Sequence, residues 1–185
     1  MCQACKGVST TIEQCFDISL DLGDKQRLWG PPKSLIDCLE HFTRAEHLGA
    51  SEKIECSSCK SQQESTKQMS MRTLPIVASF HLKRFEHLDS ANKKISTYIS
   101  FPSELNLSPF MSKNNDTLED YRYSLYAVIN HIGSITGGHY TAYVRHQKDV
   151  WVKCDDHVIT TVKLEEVLNS EGYILFYHKK LLEYE

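Results

Sequence analysis

Two cysteine pairs constrain the fold of this chain more than any other feature of its sequence. Cys2 and Cys5 form one C-x-x-C motif, and Cys56 and Cys59 form a second. A two-residue spacer lets both thiolates of such a motif bind one tetrahedral zinc ion, at about 2.3 Å from each sulfur. Four cysteine ligands close the coordination sphere, so the sequence predicts one structural zinc site. Four independent cysteines or two redox motifs are the alternative interpretations.

The spacing of the cysteines has consequences for topology. Residues 6–55 separate the two pairs, which is longer than the spacer of a compact zinc ribbon. We therefore expect a strand and a helix to be inserted between two hairpin tips that meet in space. An odd total of seven cysteines, without a signal peptide, argues against a disulfide framework. The cysteines that lack partner spacing are predicted to be core thiols: Cys15, Cys38 and Cys154.

Composition excludes several classes of function. Apolar residues make up 41% of the chain and charged residues 24%, as in soluble globular proteins. The net charge is −3 and no block of like charges occurs, so direct nucleic-acid binding is not predicted. No apolar run reaches the roughly 18 residues of a membrane helix. The first ten residues lack the apolar segment of a secretory signal.

Periodicity predicts an α+β fold that is rich in strands. A helix is predicted after a cap at Ser34 and ends near Thr43, and a short helix covers residues 163–169. Residues 103–119 are polar and are predicted to contain the main flexible loop. The predicted strands lie at residues 15–22, at 62–85 as two strands around Leu74-Pro75, and at 94–101, 123–130, 139–145, 151–162 with a break at Asp155, and 172–177.

A histidine and an aspartate form the second group of candidate functional residues. His139 follows Gly137 and Gly138 at the start of a predicted strand, and Asp155 lies near the end of the next one. If these strands pair in an antiparallel manner, Asp155 faces His139. An aspartate bonded to one imidazole nitrogen orients the ring and leaves the other nitrogen to act as a base. This is the orienting half of a Cys-His-Asp triad, although a histidine in a strand is more often structural.

Several strings resemble one protein family in content and in order. GGHYTAYVRH followed by WVKCDDHVI resembles the histidine box of the ubiquitin-specific proteases. LPIVASFHLKRF is similar to a central strand motif of that family, and GYILFYHK to its closing strand. The paired C-x-x-C motifs resemble its zinc-bearing fingers. CxxCxGVSTTI, FTRAEHLG, QESTKQ and LKRFEH resemble the subgroup that serves the SAGA transcriptional coactivator.

The resemblance implies a papain-like fold with zinc-bearing fingers at about residues 1–70 and a palm at about 71–185, while the helical thumb is largely missing. It implies that His139 is the general base and Asp155 its orienting residue, with Asp156 in support. The implied channel for the ubiquitin tail contains Gly137, Gly138 and Tyr140. Zinc would be held by Cys2, Cys5, Cys56 and Cys59.

The family's nucleophile box, roughly Gly-Asn-Thr-Cys, does not occur in this sequence. The chain is therefore expected to be inactive alone, as a fragment of a thiol-dependent deubiquitinase. A non-catalytic ubiquitin-binding protein and an unrelated zinc-stabilised interaction module are the alternatives. The resemblance implies ubiquitin, ubiquitinated nuclear proteins such as histones and SAGA-type adaptor subunits as partners, in the nucleus and away from membranes.

Overall fold

An eight-stranded sheet lies at the centre of the computed structural model, which describes residues 1–23, 30–87, 92–112, 121–147 and 149–180. The helices within these ranges are α1 (Leu35–Thr43) and α2 (Leu164–Leu168), with a 3-10 turn at Ser108–Phe110. The strands are β1 (Ile18–Asp21), β2 (Glu46–Leu48), β3 (Ile54–Cys56), β4 (Ser61–Gln63), β5 (Ser65–Lys67), β6 (Val77–Lys83), β7 (Phe85–His87), β8 (Asn92–Lys94), β9 (Glu104–Asn106), β10 (Arg122–Ser134), β11 (Gly137–Gln147), β12 (Val150–Asp155), β13 (Val158–Val162) and β14 (Gly172–Lys179).

The central sheet combines distant parts of the chain. Its strands lie in the order β1-β6-β14-β10-β11-β12-β13, and β9 pairs with the first residues of β10. β1 is parallel to β6, whereas the other pairs are antiparallel. Three separate two-stranded ribbons, β2-β5, β3-β4 and β7-β8, complete the described pairings. The α+β class predicted from the sequence is confirmed.

The core lies on one face of this sheet. β6 shows why, because Ala78, Phe80 and Leu82 alternate with less buried neighbours, as the period-2 geometry of a strand requires. Phe80 packs edge-to-face on Tyr177 of β14 with ring centroids 5.8 Å apart. Further buried side chains of this cluster come from α1, α2 and the neighbouring strands: Leu20, Leu35, Leu39, Leu125, Val128, Trp151, Val167 and Leu175.

The cap predicted for α1 is present. The Ser34 Oγ accepts from the Asp37 N–H at 3.0 Å, and the Asp37 carboxylate accepts from the Ser34 N–H at 3.0 Å. This reciprocal arrangement satisfies two backbone donors that a helix N-terminus otherwise leaves unpaired. The helix ends at Thr43, as predicted.

One local prediction was wrong, and a second falls partly outside the described residues. The strand expected at residues 94–101 is not formed, because β8 ends at Lys94. The segment that follows is held by side-chain hydrogen bonds from Arg84 instead of by pairing with a neighbouring strand. Residues 103–119 contain β9 and the 3-10 turn, while residues 113–119 of that predicted loop lie outside the described residues. Among the residues that the structure describes, no helix has the length and apolar character needed to cross a membrane.

Candidate active site and metal-binding cluster

His139 and Asp155 are brought together by the pairing of β11 with β12. The two strands are antiparallel, as predicted, and His139 Nε2 lies 2.5 Å from Asp155 Oδ1. Both side chains remain partly accessible, at 45% and 43% exposure. Because Nε2 bonds the carboxylate, the ring is oriented and Nδ1 is the nitrogen left to exchange a proton with a reactant.

The electrostatics of this pair favour its charged form. The hydrogen bond that His139 donates to Asp155, together with the charges of Asp155 and Asp156, raises the pKa of His139 above its ordinary value, while desolvation and the charge of Lys153 oppose the shift. The bond to His139 lowers the pKa of Asp155. The two directions agree, because each charge stabilises the other. The imidazole is therefore a stronger base here than a free histidine.

Strand geometry separates Asp155 from the adjacent cysteine. Ala142 pairs with Cys154, so Cys154 shares the sheet face of Ala142 while Asp155 points to the face of His139. Asp156 has a left-handed backbone (φ 51°) in the turn between β12 and β13. Its carboxylate oxygen lies within 4.8 Å of a ring nitrogen of His139 and of a carboxylate oxygen of Asp155. The structure thus brings Asp156 to the pair, although its role stays a prediction.

Gly137 and Gly138 have different surroundings, although the sequence treats them alike. A Cβ atom on Gly138 would lie 2.2 Å from His131 Nε2 and 2.5 Å from the Ile132 carbonyl oxygen. A Cβ atom on Gly137 would meet nothing within 4 Å. Close packing of the hairpin therefore requires glycine at position 138 and not at position 137.

An aromatic wall lies beside Gly138, which we define as Phe85, His131, Tyr140 and Tyr173. The His131 ring centroid lies 4.8 Å from that of Tyr140, 5.2 Å from that of Phe85 and 6.3 Å from that of Tyr173. His131 is 6% exposed, whereas Tyr140 is 56% exposed. Sequence reasoning singled out Tyr140 and missed the other three as a group. The pairing of His131 with Tyr140 in a β10-β11 hairpin was the available signal.

The four cysteines of the two C-x-x-C motifs converge through two turns of the same shape. Lys6 and Lys60, which follow the second cysteine of each motif, have left-handed backbones with φ of 60° and 53°. The Lys6 N–H donates to the Cys2 carbonyl at 3.0 Å, and the Lys60 N–H donates to the Cys56 carbonyl at 2.8 Å. Each turn directs both of its thiols to the same point, so the pairs meet as predicted.

The sulfur positions match the edges of a tetrahedral site. Cys5 Sγ lies 3.7 Å from Cys56 Sγ, and Cys2 Sγ lies 4.0 Å from Cys59 Sγ. A tetrahedron with bonds of about 2.3 Å has edges of about 3.8 Å. Backbone N–H groups of Cys59 and Ser58 lower the pKa of Cys56 to about 6, whereas the bond with Cys5 and other thiols raises that of Cys59 to about 12. Four crowded thiols cannot all ionise without a cation, so this cluster is suited to a metal ion.

The sequence matches the ubiquitin carboxyl-terminal hydrolase family over residues 10–177. The chain belongs to this family. Its relatives include ubiquitin carboxyl-terminal hydrolase nonstop of Drosophila melanogaster, with 64% identity over the whole chain and 38% of that protein. The human ubiquitin carboxyl-terminal hydrolases 27 and 22 are 51% and 49% identical over the whole chain, which covers 49% and 41% of their lengths. The chain therefore spans half or less of these relatives.

Solved structures of the family share the fold. A chain of the SAGA Ubp8/Sgf11/Sus1/Sgf73 DUB module bound to ubiquitin aldehyde has a TM-score of 0.83 and 34% identity. The match covers 97% of this chain and 39% of that one. A second structure of the Ubp8-Sgf11-Sgf73-Sus1 module has a TM-score of 0.77 and 31% identity. The expected papain-like ubiquitin-specific protease fold, mostly sheet and without most of the helical thumb, is confirmed.

The remaining cysteines differ in their environments. Cys38 of α1 is 2% exposed and is the core thiol that we predicted. Cys15 is exposed, so its assignment to the core was wrong, and Cys154 is half-buried. Cys15, Cys38 and Cys154 form no disulfide and lie outside the group of four cysteines that could hold a metal ion.

Proposed function

We propose that this chain holds ubiquitin and supplies the general base in a thiol-dependent deubiquitinase that cleaves the isopeptide bond at ubiquitin's C-terminal glycine. The observation that carries the proposal is the His139–Asp155 pair, with Nε2 bonded and Nδ1 available, in a member of the ubiquitin carboxyl-terminal hydrolase family. Residues of about 1–70 would form the fingers and residues of about 71–185 the palm.

The reaction is an acyl transfer. His139 Nδ1 takes the proton of a cysteine thiol, and the thiolate attacks the carbonyl carbon of the terminal glycine. Positioned donors stabilise the resulting oxyanion. His139 then protonates the departing lysine amine, and water releases ubiquitin from the acyl-enzyme. Asp155 holds the imidazole and stabilises its protonated form throughout, with Asp156 adding negative charge nearby.

The nucleophile is expected from outside these 185 residues. Cys154 points to the sheet face opposite His139, and Cys38 of α1 is buried. The four clustered cysteines lie against one another, and Cys15 precedes β1, which is at the edge of the sheet opposite to β12 and β13. We therefore expect the isolated chain to bind ubiquitin without hydrolysing its esters. Because the Gly-Asn-Thr-Cys string does not occur in this sequence, a second candidate function is that of a protein that binds ubiquitin and performs no catalysis.

The aromatic wall and Tyr140 in particular are proposed to line the channel for the ubiquitin tail. A tail that ends in two glycines is narrow, and close passage requires a surface without protruding side chains. Gly137 and Gly138 provide such a surface immediately before His139. This position would deliver the terminal glycine to Nδ1.

The four-cysteine cluster is proposed to hold one structural zinc ion, ligated by Cys2, Cys5, Cys56 and Cys59. Zinc would tie the tips of two distant hairpins together and neutralise their thiolates. Metal analysis of the purified chain should find about one zinc per molecule. A substantially lower content in protein purified without chelators would refute the site.

Partners and location are proposed by analogy. The SAGA modules that resemble this chain contain Sgf11, Sus1 and Sgf73, so adaptor subunits of that kind are proposed to bind the protein. Such a complex acts in transcription, which suggests a nuclear location and histone or other nuclear substrates. Direct binding to nucleic acids or to membranes forms no part of the proposal.

The decisive experiment measures binding of intact ubiquitin to the isolated chain by calorimetry, together with hydrolysis of a fluorogenic ubiquitin ester. We expect binding and no hydrolysis. A chain that binds no ubiquitin would refute the proposal and favour the unrelated zinc-stabilised interaction module. Hydrolysis by the isolated chain would refute the expectation that the nucleophile comes from elsewhere, and hydrolysis that persisted in His139→Ala would also refute the role of His139 as the base.

A further inference from the structure

The buried side chain of Arg84 binds the backbone at the corner of Glu171 and Gly172, which leads into β14. Arg84 is 1% exposed, although its position at the end of an apolar strand predicts a solvated side chain. Its Nε donates to the Gly172 carbonyl at 2.7 Å. Its Nη1 donates to the carbonyls of Ile95 and Thr97 at 3.0 and 2.8 Å. One guanidinium thus joins β6, β14 and the segment after β8.

Lys94 is a second cation that binds the same corner, through the side chain of Glu171. Lys94 is 12% exposed, and its Nζ lies 3.1 Å from the carboxylate of Glu171, the residue before Gly172. The same Nζ donates to the His131 carbonyl at 2.6 Å. The Glu171–Gly172 corner is therefore held by Arg84 through a carbonyl and by Lys94 through a carboxylate.

Burying the two cations of Arg84 and Lys94 is costly unless geometry compensates, although the Glu171 side chain beside Lys94 is 35% exposed. A buried ion pair often stabilises a fold less than apolar packing of equal volume would. The rigid fork of arginine can bond several acceptors in fixed directions, which the single ammonium of lysine cannot do. A polar network of this kind is better suited to fixing positions than to adding stability.

The positions that it fixes belong to the aromatic wall. Phe85 directly follows Arg84, Tyr173 directly follows Gly172, and the backbone of His131 is the acceptor for Lys94. Three of the four rings of the wall are thus attached within one residue to this network. A shift of the corner would separate Tyr173 from His131 and alter the surface next to Gly138.

We propose that Arg84 and Lys94 are positioning residues that hold the aromatic wall in the shape that receives the ubiquitin tail. The inference rests on the proposed function, because it assigns a cause to the shape of the proposed tail channel. It concerns neither the charge pair at His139 nor the metal cluster.

The test compares the affinities of the isolated chain for intact ubiquitin and for ubiquitin that lacks its C-terminal tail. The dissociation constant for tail-less ubiquitin divided by that for intact ubiquitin measures the tail's contribution alone. Arg84→Lys keeps the charge and loses the fork, and Lys94→Gln removes the charge. We expect either change to lower this ratio by about tenfold, equivalent to ~1.4 kcal/mol, while binding of tail-less ubiquitin is unchanged.

Tyr177→Phe is the matched control. It removes a buried bond from Tyr177 to the Pro102 carbonyl (2.7 Å) on the same strand but outside the corner, so it should leave the ratio unchanged. If Arg84→Lys fails to fold, Lys94→Gln decides the result. Equal losses for both forms of ubiquitin, or an unchanged ratio, would overturn the inference. A wild-type chain that binds neither form would instead refute the proposed function, and this inference with it.

Discussion

Replacing Gly138 by alanine tests how tightly the hairpin before His139 is packed. The added Cβ would lie 2.2 Å from His131 Nε2 and 2.5 Å from the Ile132 carbonyl oxygen. Neither neighbour can move easily, because the His131 ring is buried among aromatic rings and the Ile132 carbonyl is part of the β10 backbone. Ordinary contacts begin near 3.4 Å, so the hairpin must open by about 1 Å.

Overpacking of this kind costs about 1–3 kcal/mol, and we expect Gly138→Ala to lie at the upper end because backbone must move. For a chain of this size a loss near 3 kcal/mol lowers the midpoint of thermal unfolding by roughly 6–12 °C. Gly137→Ala is the matched control, since its Cβ would meet nothing within 4 Å. It should be neutral or stabilise the chain by about 0.5 kcal/mol, because alanine restricts the unfolded state.

Thermal unfolding followed by circular dichroism, with all variants equally loaded with metal, measures both effects. Urea unfolding provides an independent estimate of the free energy of unfolding. Equal midpoints for Gly137→Ala and Gly138→Ala would refute the packing argument. So would a larger loss for Gly137→Ala, which would indicate that position 137 has the unfavourable surroundings.

Further predictions concern the charge pair, the turn beside it and the metal cluster. Asp155→Asn should lower the pKa of His139 in an NMR titration. The raised pKa of His139 contributes stability that is lost as pH rises through it, and the lowered pKa of Asp155 contributes stability that is lost as pH falls through it. The unfolding free-energy difference between wild type and Asp155→Asn should therefore peak between about pH 4 and 6.5; a difference that grows above neutral pH would contradict this. Asp156→Asn should leave stability nearly unchanged, whereas Asp156→Val should cost about 1–2 kcal/mol because its backbone is left-handed; equal unfolding midpoints would refute that account. Cys56→Ser should reduce the metal content and the unfolding midpoint together, whereas Cys15→Ser should change neither.

Much of the site follows from pattern and pairing. The C-x-x-C spacing predicts two convergent thiol pairs, and the strand assignment around His139 and Asp155 predicts their contact. The first succeeds because a two-residue spacer lets both thiols of one turn reach the same point. The second succeeds because alternation along a strand determines which face a side chain occupies. The different surroundings of Gly137 and Gly138 cannot be predicted from the local sequence, since they depend on where the His131 ring lies across the hairpin.

Two other features cannot be predicted from sequence periodicity: the left-handed backbones of Lys6 and Lys60, and the burial of Arg84. Lys6 and Lys60 adopt left-handed backbones in which glycine or asparagine would be expected, because the convergence of the cysteines determines the turn. Arg84 follows an apolar strand and would ordinarily reach solvent, but its three carbonyl acceptors come from residues 11 to 88 positions away. Long-range acceptors leave no signal in a local window, so the burial of Arg84 becomes visible only in the folded chain.

The register of one hairpin decides which side chain accompanies His139. Cys154 and Asp155 are adjacent and point to opposite faces, so a slip of one residue between β11 and β12 would replace the carboxylate beside His139 with a thiol. The turn after β12 fixes where that strand ends, because Asp155 pairs with Val158 of β13 across a two-residue turn in which Asp156 is left-handed. Asp156 therefore contributes to the site through backbone geometry as well as through charge. Comparing Asp156→Asn with Asp156→Val separates these contributions, since the first removes charge and the second removes both.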